Sequence, residues 1–254
     1  MARKFAVLSG KGGAGKSTVS ANLGYALSKS GKRVLLVDMD FSLNSLDIVM
    51  RCQNSVVFDL KDVIENKCRL KQALLDDKKS NGLYVLLSGS FNPEKDSGRF
   101  CETILKEQIA FDYIFFDCPA GVGKSVECAL KACDETIVVV TPHYVSVKDA
   151  LAALKLVQKY DVLRNNVVIN RIRGDMVKEG RQMSAVEVFA LLEGCFPLGI
   201  VPENYYLNGF TRCDSIFFDV LADNLANGKQ LLYDYMKNFK GLSGKIRSKL
   251  NKNF

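Results

Sequence analysis

The chain has 254 residues, of which 48% are hydrophobic and 25% are charged, and it carries a net charge of +7. This composition is typical of a soluble globular protein, which excludes a disordered chain, and no stretch approaches the roughly 20 apolar residues that cross a bilayer. The length fits one sizeable α/β domain.

The first residues, Met1 to Lys4, lead directly into a short apolar run instead of the longer apolar segment of a signal peptide. We therefore expect the protein to stay in the cytoplasm.

Short apolar runs then alternate with helical patterns along the chain. Buried strands are predicted at 5–8, 34–37, 83–87, 113–116, 136–140 and 167–169. Helices are predicted at 17–30, 146–160 and 184–192. This alternation predicts an α/β fold with a doubly wound, mostly parallel sheet and helices on both faces, in which ligands bind at the carboxyl ends of the strands.

The segment between the first strand and the first helix reads GKGGAGKS at 10–17, which matches the phosphate-binding pattern GxxxxGK[ST] in the required context. Backbone N–H groups of such a loop bind phosphate, its lysine neutralises phosphate charge, and its final hydroxyl binds Mg²⁺. The loop and the helix start therefore predict an ATP site made by Gly10, Lys11, Gly12, Gly13, Ala14, Gly15, Lys16, Ser17 and Thr18.

A second motif follows the apolar run 113–116, which ends in Asp117. An acid at the end of a buried strand is typical of the residue that reaches the magnesium shell in P-loop proteins. The alternative for Asp117 is a carboxylate that caps the next helix.

Eight cysteines raise the question of a metal or disulfide site, but the chain contains no CxxC pair and His143 is its only histidine. We therefore interpret the cysteines as reduced and mostly buried thiols, not as a cluster site.

The final segment carries most of the excess positive charge. After Asp234 the chain has six cations and no acidic residue, which leaves +1 for the rest of the chain. On a helical wheel, Phe239 lies on one stripe, about 120° wide, with Leu242, Ile246, Leu250 and Phe254. The pattern predicts a P-loop domain at 1–238 and a basic amphipathic membrane-targeting tail at 239–254. The alternative is a last helix that packs on the core.

A lysine at the second position of the loop, Lys11, gives a resemblance to the deviant Walker-A ATPases, which include the MinD, ParA, Mrp and nitrogenase iron-protein branches. The segments 37–40 and 117–121 resemble the two switch regions of this family. The acidic switch followed by 44–47, the run 57–60 and the basic tail are similar to the MinD branch.

This resemblance implies roles for further residues. Asp38 is expected to hold the Mg²⁺ shell with Asp117 and Ser17, and Asp40 to orient the attacking water. Lys11 is expected to reach the ATP of a partner subunit, so that catalysis by Lys11, Lys16 and Asp40 requires a homodimer.

Adenine recognition is assigned to Asn170, which ends a strand as the base-reading residue of the family does. The remaining predicted ATP contacts are Gly121, Arg171, Pro202 and Glu203. The alternative for Asn170, Pro202 and Glu203 is a role in loops and turns.

Three functions follow from the resemblance. The first is a MinD-type ATPase that hydrolyses ATP with Mg²⁺, binds the anionic inner face of the cell membrane in its ATP state, and positions the division site with MinC-like and MinE-like partners. The second is a MinD-like ATPase that places flagella. The third is a ParA-type ATPase that segregates DNA, but the nearly neutral body makes nucleic acid an unfavourable partner.

Overall fold

A single sheet organises this computed structural model, which describes residues 1–41, 45–52, 56–77, 80–107, 110–203 and 215–237. In the described part of the chain its strands are β1 (Arg3–Leu8), β2 (Val34–Asp38), β3 (Leu75–Asp76), β4 (Leu83–Leu86), β5 (Tyr113–Asp117), β6 (Glu135–Val140), β7 (Arg164–Ile172) and β8 (Phe196–Pro202). Their order is β3-β4-β2-β5-β1-β6-β7-β8, and every pair is parallel except β3 with β4. The predicted doubly wound, mostly parallel sheet is therefore confirmed.

The helices of the described residues connect these strands. They are α1 (Lys16–Lys29), α2 (Ser45–Met50), α3 (Leu60–Ile64), α4 (Leu70–Ala73), α5 (Pro93–Glu107), α6 (Lys124–Ala132), α7 (Tyr144–Val157), α8 (Gly174–Lys178), α9 (Ala185–Leu191) and α10 (Ile216–Asn227). The three predicted helices correspond to α1, α7 and α9. The helix α7 begins at Tyr144, two residues before the predicted start, and the Ser146 hydroxyl accepts a hydrogen bond from the backbone N–H of Thr141.

The two faces of the sheet bury two different sets of side chains, because successive residues of a strand point to opposite faces. On one face, Val7 belongs to a core formed with α1 and α10. On the other face, its neighbour Leu8 belongs to a core formed with α5 and α6. The helices α7 and α9 pack on the same side as α5 and α6, over β6 and β7.

The position of β1 creates the crevice at which the site forms. It lies between β5 and β6, so the connection through α6 crosses it. At the carboxyl ends of the strands, Val7 pairs with Asp117, and Asp117 pairs with Asp38. The loop after β1 and the two acids therefore meet at one edge of the sheet, as the sequence predicted.

The edge strand β8 is covered by the segment that follows α10. Asn224, which is buried in α10, donates to the carbonyl oxygens of Leu198 and Leu231 and accepts from the N–H of Leu231. Further along, Tyr233 packs edge-on against Phe217, and the Tyr235 hydroxyl accepts from the N–H of Ala185 at the start of α9. This segment, 229–237, therefore runs from one face of the sheet to the other across β8.

In the part of the chain that the structure describes, no helix is both long enough and apolar enough to span a membrane. The predicted tail at 239–254, with its stripe residues Leu242, Ile246, Leu250 and Phe254, lies outside the described residues. The boundary at 238 and the membrane contacts of the tail stay predictions.

Candidate nucleotide-binding site

The phosphate-binding loop is shaped by glycines at positions where a side chain would be strained or blocked. Gly13 and Gly15 have φ angles of 80° and 93°, in the left-handed region that favours glycine. Gly10 has a different constraint, because a Cβ atom there would overlap the backbone of Asp149 in α7. The helix α1 begins at Lys16 without a side-chain cap, so the N–H groups of its first turn face the loop.

Lys16 is almost fully buried, and its Nζ atom donates to the Ser9 hydroxyl over 2.8 Å. Ser9 in turn donates to the backbone oxygen of Lys11 over 2.7 Å. Burial lowers the pKa of the Lys16 ammonium, while the neighbouring carboxylates of Asp117 and Asp40 favour the charged form. The Lys16 ammonium is therefore shielded from water and only partly compensated by neighbouring protein groups, which favours its contact with phosphate.

Two buried acids stand beside this lysine. Asp38 accepts from the N–H of Asp40 over 2.8 Å and from the N–H of Leu46 over 3.4 Å. Burial is the main cause that raises the pKa of the Asp38 carboxyl to about 8, and the charge of Asp117 is the second. Burial also raises the pKa of Asp117 to about 6, despite hydrogen bonds from Ser17 and Ser20 and the nearby ammonium of Lys16.

The Asp117 carboxylate has the features of a metal-shell residue. Its Oδ1 atom accepts from the Ser20 hydroxyl over 3.0 Å, whereas its buried Oδ2 atom has no hydrogen-bond partner among the described residues. Ser17, the predicted magnesium-binding hydroxyl, also bonds to this carboxylate. No group of three or more His, Cys, Asp or Glu side chains gathers as a metal site within the described ranges. Mg²⁺ suits such a place, because it is often held by one or two protein groups, waters and substrate phosphates.

A cavity of about 340 Å³ adjoins the loop. Its lining includes Lys11 and Gly12 of the loop together with Arg171 and Glu203, which follow in β7 and after β8. Lys11 is exposed, and its contact with a second subunit stays a prediction. His143, which the sequence analysis considered only as a metal ligand, also lines this cavity.

The structure places Asn170 differently from a free base-reading amide. Its Nδ2 atom donates to the carbonyl of Ala14 over 2.8 Å, and its Oδ1 atom accepts from the N–H of Arg171. Asn170 therefore fastens β7 to the phosphate-binding loop, and its contact with adenine stays a prediction.

The other predicted contacts lie around the same edge. Gly121 has a φ of 88°, and its N–H donates to the carbonyl of Ser9 over 3.3 Å, which brings the second switch segment to the end of β1. Pro202 ends β8, and the N–H of Glu203 donates to the carbonyl of Ile172. Thr18 lies in the first turn of α1.

The sequence analysis missed several residues of the site, among them Ser9, Ser20, Asp149 and Gln182. Ser20 is the easiest to find from sequence, since it lies one turn after Lys16 on the same helix face. Ser9 directly precedes the loop, but its bonds to Lys16 and Lys11 follow only from the folded geometry. Asp149 and Gln182 come from distant parts of the chain, and no local spacing indicates them.

Comparisons with known proteins agree with this geometry. A family model described as an AAA domain matches residues 2–169. The septum site-determining protein MinD of Bacillus subtilis is 38% identical over 214 residues, which cover 80% of this chain and 77% of that protein.

Two solved structures are also similar. The MinC:MinD cell division protein complex of Aquifex aeolicus matches with a TM-score of 0.80 and 32% identity, over 91% of this chain and 97% of the other. The MinD protein of Pyrococcus horikoshii complexed with Mg-ADP matches with a TM-score of 0.76 and 25% identity, over 89% and 97% of the two chains.

Proposed function

This chain belongs to the MinD family of septum site-determining P-loop ATPases, and we propose that it hydrolyses ATP to ADP and phosphate in an Mg²⁺-dependent reaction at residues 10–17. One observation carries the proposal: the buried Oδ2 atom of Asp117 lacks a partner among the described residues, at the strand end where Lys16 and Ser17 lie. The Mg-ADP complex of the Pyrococcus horikoshii relative supports the same cofactor here.

The residues of the loop perform most of the binding. Its backbone N–H groups and the N-terminus of α1 hold the phosphates, and Lys16 exchanges its bond with Ser9 for β- and γ-phosphate oxygens. Ser17, Asp38 and Asp117 are the residues that would hold Mg²⁺, and the ion would neutralise part of the phosphate charge.

The attacking water is positioned by Asp40. The bond between the Asp40 N–H and Asp38 fixes the backbone of Asp40, and the Asp40 carboxylate lies close enough to Lys16 and Asp117 to affect their pKa values. A water held there by the carboxylate stands beside the transferred phosphoryl group. Lys11, exposed on the cavity wall, completes the site of a second subunit in the ATP-bound homodimer.

The ATP-bound dimer is proposed to bind the anionic inner face of the cell membrane through the tails at 239–254. In one tail, four cations lie beside the apolar stripe and each contributes about 1 kcal/mol, so a single tail binds transiently, whereas two tails on one dimer bind far longer. These cations are Lys245, Arg247, Lys249 and Lys252. The names of the relatives support a role in placing the division site, and the MinC:MinD complex supports a MinC-like partner. A MinE-like partner is proposed with it.

Phosphate release tests the ATPase proposal. Asp117→Asn should lower Mg²⁺-dependent turnover at least about 100-fold, because it removes the charge at the metal shell. Asp112→Asn is the matched control: Asp112 directly precedes β5, at the opposite edge of the sheet, and is exposed there. Normal turnover in Asp117→Asn, or a wild-type protein that releases no phosphate with Mg²⁺ and ATP, would refute the proposal.

A further inference from the structure

The wall of the cavity beside the phosphate-binding loop contains a bulge in β7. The register between β7 and β8 shifts between Asn170 and Ile172, and Arg171 has a φ of 62°, which is uncommon for a residue with a side chain. Ile169 and Ile172 pack in the same core although they are three residues apart. Arg171 is therefore the extra residue of the bulge, and it lines the cavity.

This bulge is held by one side chain from a different part of the chain. Gln182, in the loop between α8 and α9, is almost fully buried. Its Nε2 atom donates to the carbonyl of Arg171 over 3.2 Å, and its Oε1 atom accepts from the N–H of Arg173 over 2.7 Å. A single carboxamide thus bonds to the backbone on both sides of Ile172.

The position of Gln182 is itself fixed. Its backbone N–H donates to the carbonyl of Met176, and the N–H of the next residue, Met183, donates to the carbonyl of Pro142 at the end of β6. Gln182 therefore connects the end of β6 to the bulge, and its side chain also lines the cavity.

From this geometry we infer that Gln182 is a positioning residue for nucleotide binding, which holds Arg171 and the adjoining strand end in the conformation that receives the adenosine part of ATP. The inference rests on the proposed ATP site. Gln182 acts through Arg171, and the phosphates remain the task of the loop at 10–17.

The energetic reason is that the bulge conformation has a cost. A left-handed arginine and an interrupted strand pairing are both unfavourable, so they persist only where surrounding bonds hold them. Without the Gln182 bonds, a smaller fraction of the free protein has the binding-competent wall, and the apparent affinity falls by that fraction. The loss concerns contacts to adenosine and leaves the affinity for phosphate unchanged.

Two variants separate the bonds. Gln182→Glu keeps the acceptor for Arg173 but loses the donor to Arg171, and Gln182→Met has a similar length and loses both. Gln158→Glu is the control, because Gln158 is exposed at the end of α7 and the change in charge is the same.

The experiment measures displacement of a fluorescent ATP analogue by ATP, by GTP and by inorganic tripolyphosphate, in the full-length protein with Mg²⁺. We expect Gln182→Glu to weaken competition by ATP about five- to tenfold, which is the loss of one hydrogen bond, and to leave tripolyphosphate unchanged. Discrimination between ATP and GTP should fall as well.

The result that overturns the inference is an equal loss for ATP and tripolyphosphate, which would show a general structural defect, or no loss for either competitor. If Gln182→Met does not fold, the same comparison is made with Gln182→Glu alone. A wild-type protein from which tripolyphosphate displaces the fluorescent analogue as strongly as ATP does would overturn the role of Gln182 and leave the phosphate loop intact. If the wild-type protein does not bind the fluorescent analogue, the proposed function fails as well.

Discussion

Asp38 and Asp117 are direct register partners at the carboxyl ends of β2 and β5, and both carboxyl groups are buried. Two like charges at adjacent strand ends are costly to bury without a cation. Burial and the neighbouring charge therefore raise the pKa values of both carboxyl groups in the free protein, and Mg²⁺ bound beside them would favour their ionisation.

This pair predicts how stability depends on pH. The pKa of Asp38 is raised from 3.8 to about 8, and that of Asp117 to about 6, so the folded protein holds protons that the unfolded chain has released. These two groups should make the nucleotide-free protein less stable as pH rises from about 4 to about 8. Asp38→Asn should flatten the dependence, which thermal melts across this range would measure.

Binding should follow the opposite trend. Mg²⁺ with ATP requires both carboxylates to be ionised, and pKa values of about 8 and about 6 leave few molecules in that state at pH 6. The affinity should therefore rise about 100-fold between pH 6 and pH 8. ATP binding without Mg²⁺ is the control. An affinity for Mg²⁺ and ATP that does not change in this range would contradict the assignment of both acids to the metal shell.

Lys16→Ala should abolish ATP-dependent dimerisation, because the phosphates lose their main fixed cation. Size-exclusion chromatography with ATP measures the dimer. Lys29→Ala is the matched control, since Lys29 lies exposed in the last turn of the same helix, far from the loop. A normal ATP-dependent dimer in Lys16→Ala would remove Lys16 from the proposed role.

Asp40→Ala should bind ATP and accumulate as a dimer, with turnover lowered about 100-fold or more, because the attacking water loses its carboxylate while the loop is intact. Asp161→Ala, a change at an exposed acid between α7 and β7, should have normal turnover. Near-normal hydrolysis by Asp40→Ala would show that Asp40 has only a structural role.

The sequence predicted the parts of the site that depend on local pattern. The glycine spacing at 10–17 and the acids at the ends of β2 and β5 are each set within one segment, so a motif finds them. The bulge at Arg171 and the bonds of Gln182 depend on residues from different elements, which no local pattern records. The same holds for Asn170, whose amide bonds to Ala14 across the fold.

In the fold, too, features set by local sequence were predicted and features that depend on distant residues were not. Strands buried on both faces were predicted from continuous apolar runs, because parallel strands need no polar face. The helix α10 was not predicted, although Ser215 caps it and Gly228 ends it with a φ of 66°. Its inward face packs against α1, a partner that the sequence does not indicate.

Asn224 should be important for stability at the edge of the sheet. Asn224→Leu leaves the buried carbonyl of Leu198 and both polar backbone atoms of Leu231 without their partner, which should cost about 2–4 kcal/mol of unfolding free energy. Asn227→Leu, at an exposed position of the same helix, should cost less than about 1 kcal/mol. Urea unfolding measures both, and equal losses would contradict the role of Asn224 in holding the segment 229–237.

Membrane binding is tested on the tail, which lies outside the described residues. Deletion of 242–254 should leave ATP binding and dimerisation intact, because none of these residues belongs to the loop or the acids of the site. It should abolish ATP-dependent sedimentation with anionic liposomes. A truncated protein that loses solubility or ATP binding would instead show that the segment is part of the core.

A single substitution tests whether the apolar stripe, and not charge alone, binds the membrane. Ile246→Glu should nearly abolish sedimentation, whereas Ser248→Glu makes the same change in charge about 200° away on the helical wheel and should weaken binding only severalfold. High salt should weaken the binding of the wild-type protein to liposomes without abolishing it, because salt screens the cations but does not affect apolar insertion. Equal loss of liposome binding in both variants would indicate purely electrostatic attachment.

ATP-dependent binding to duplex DNA with no binding to liposomes would replace the membrane role with DNA segregation.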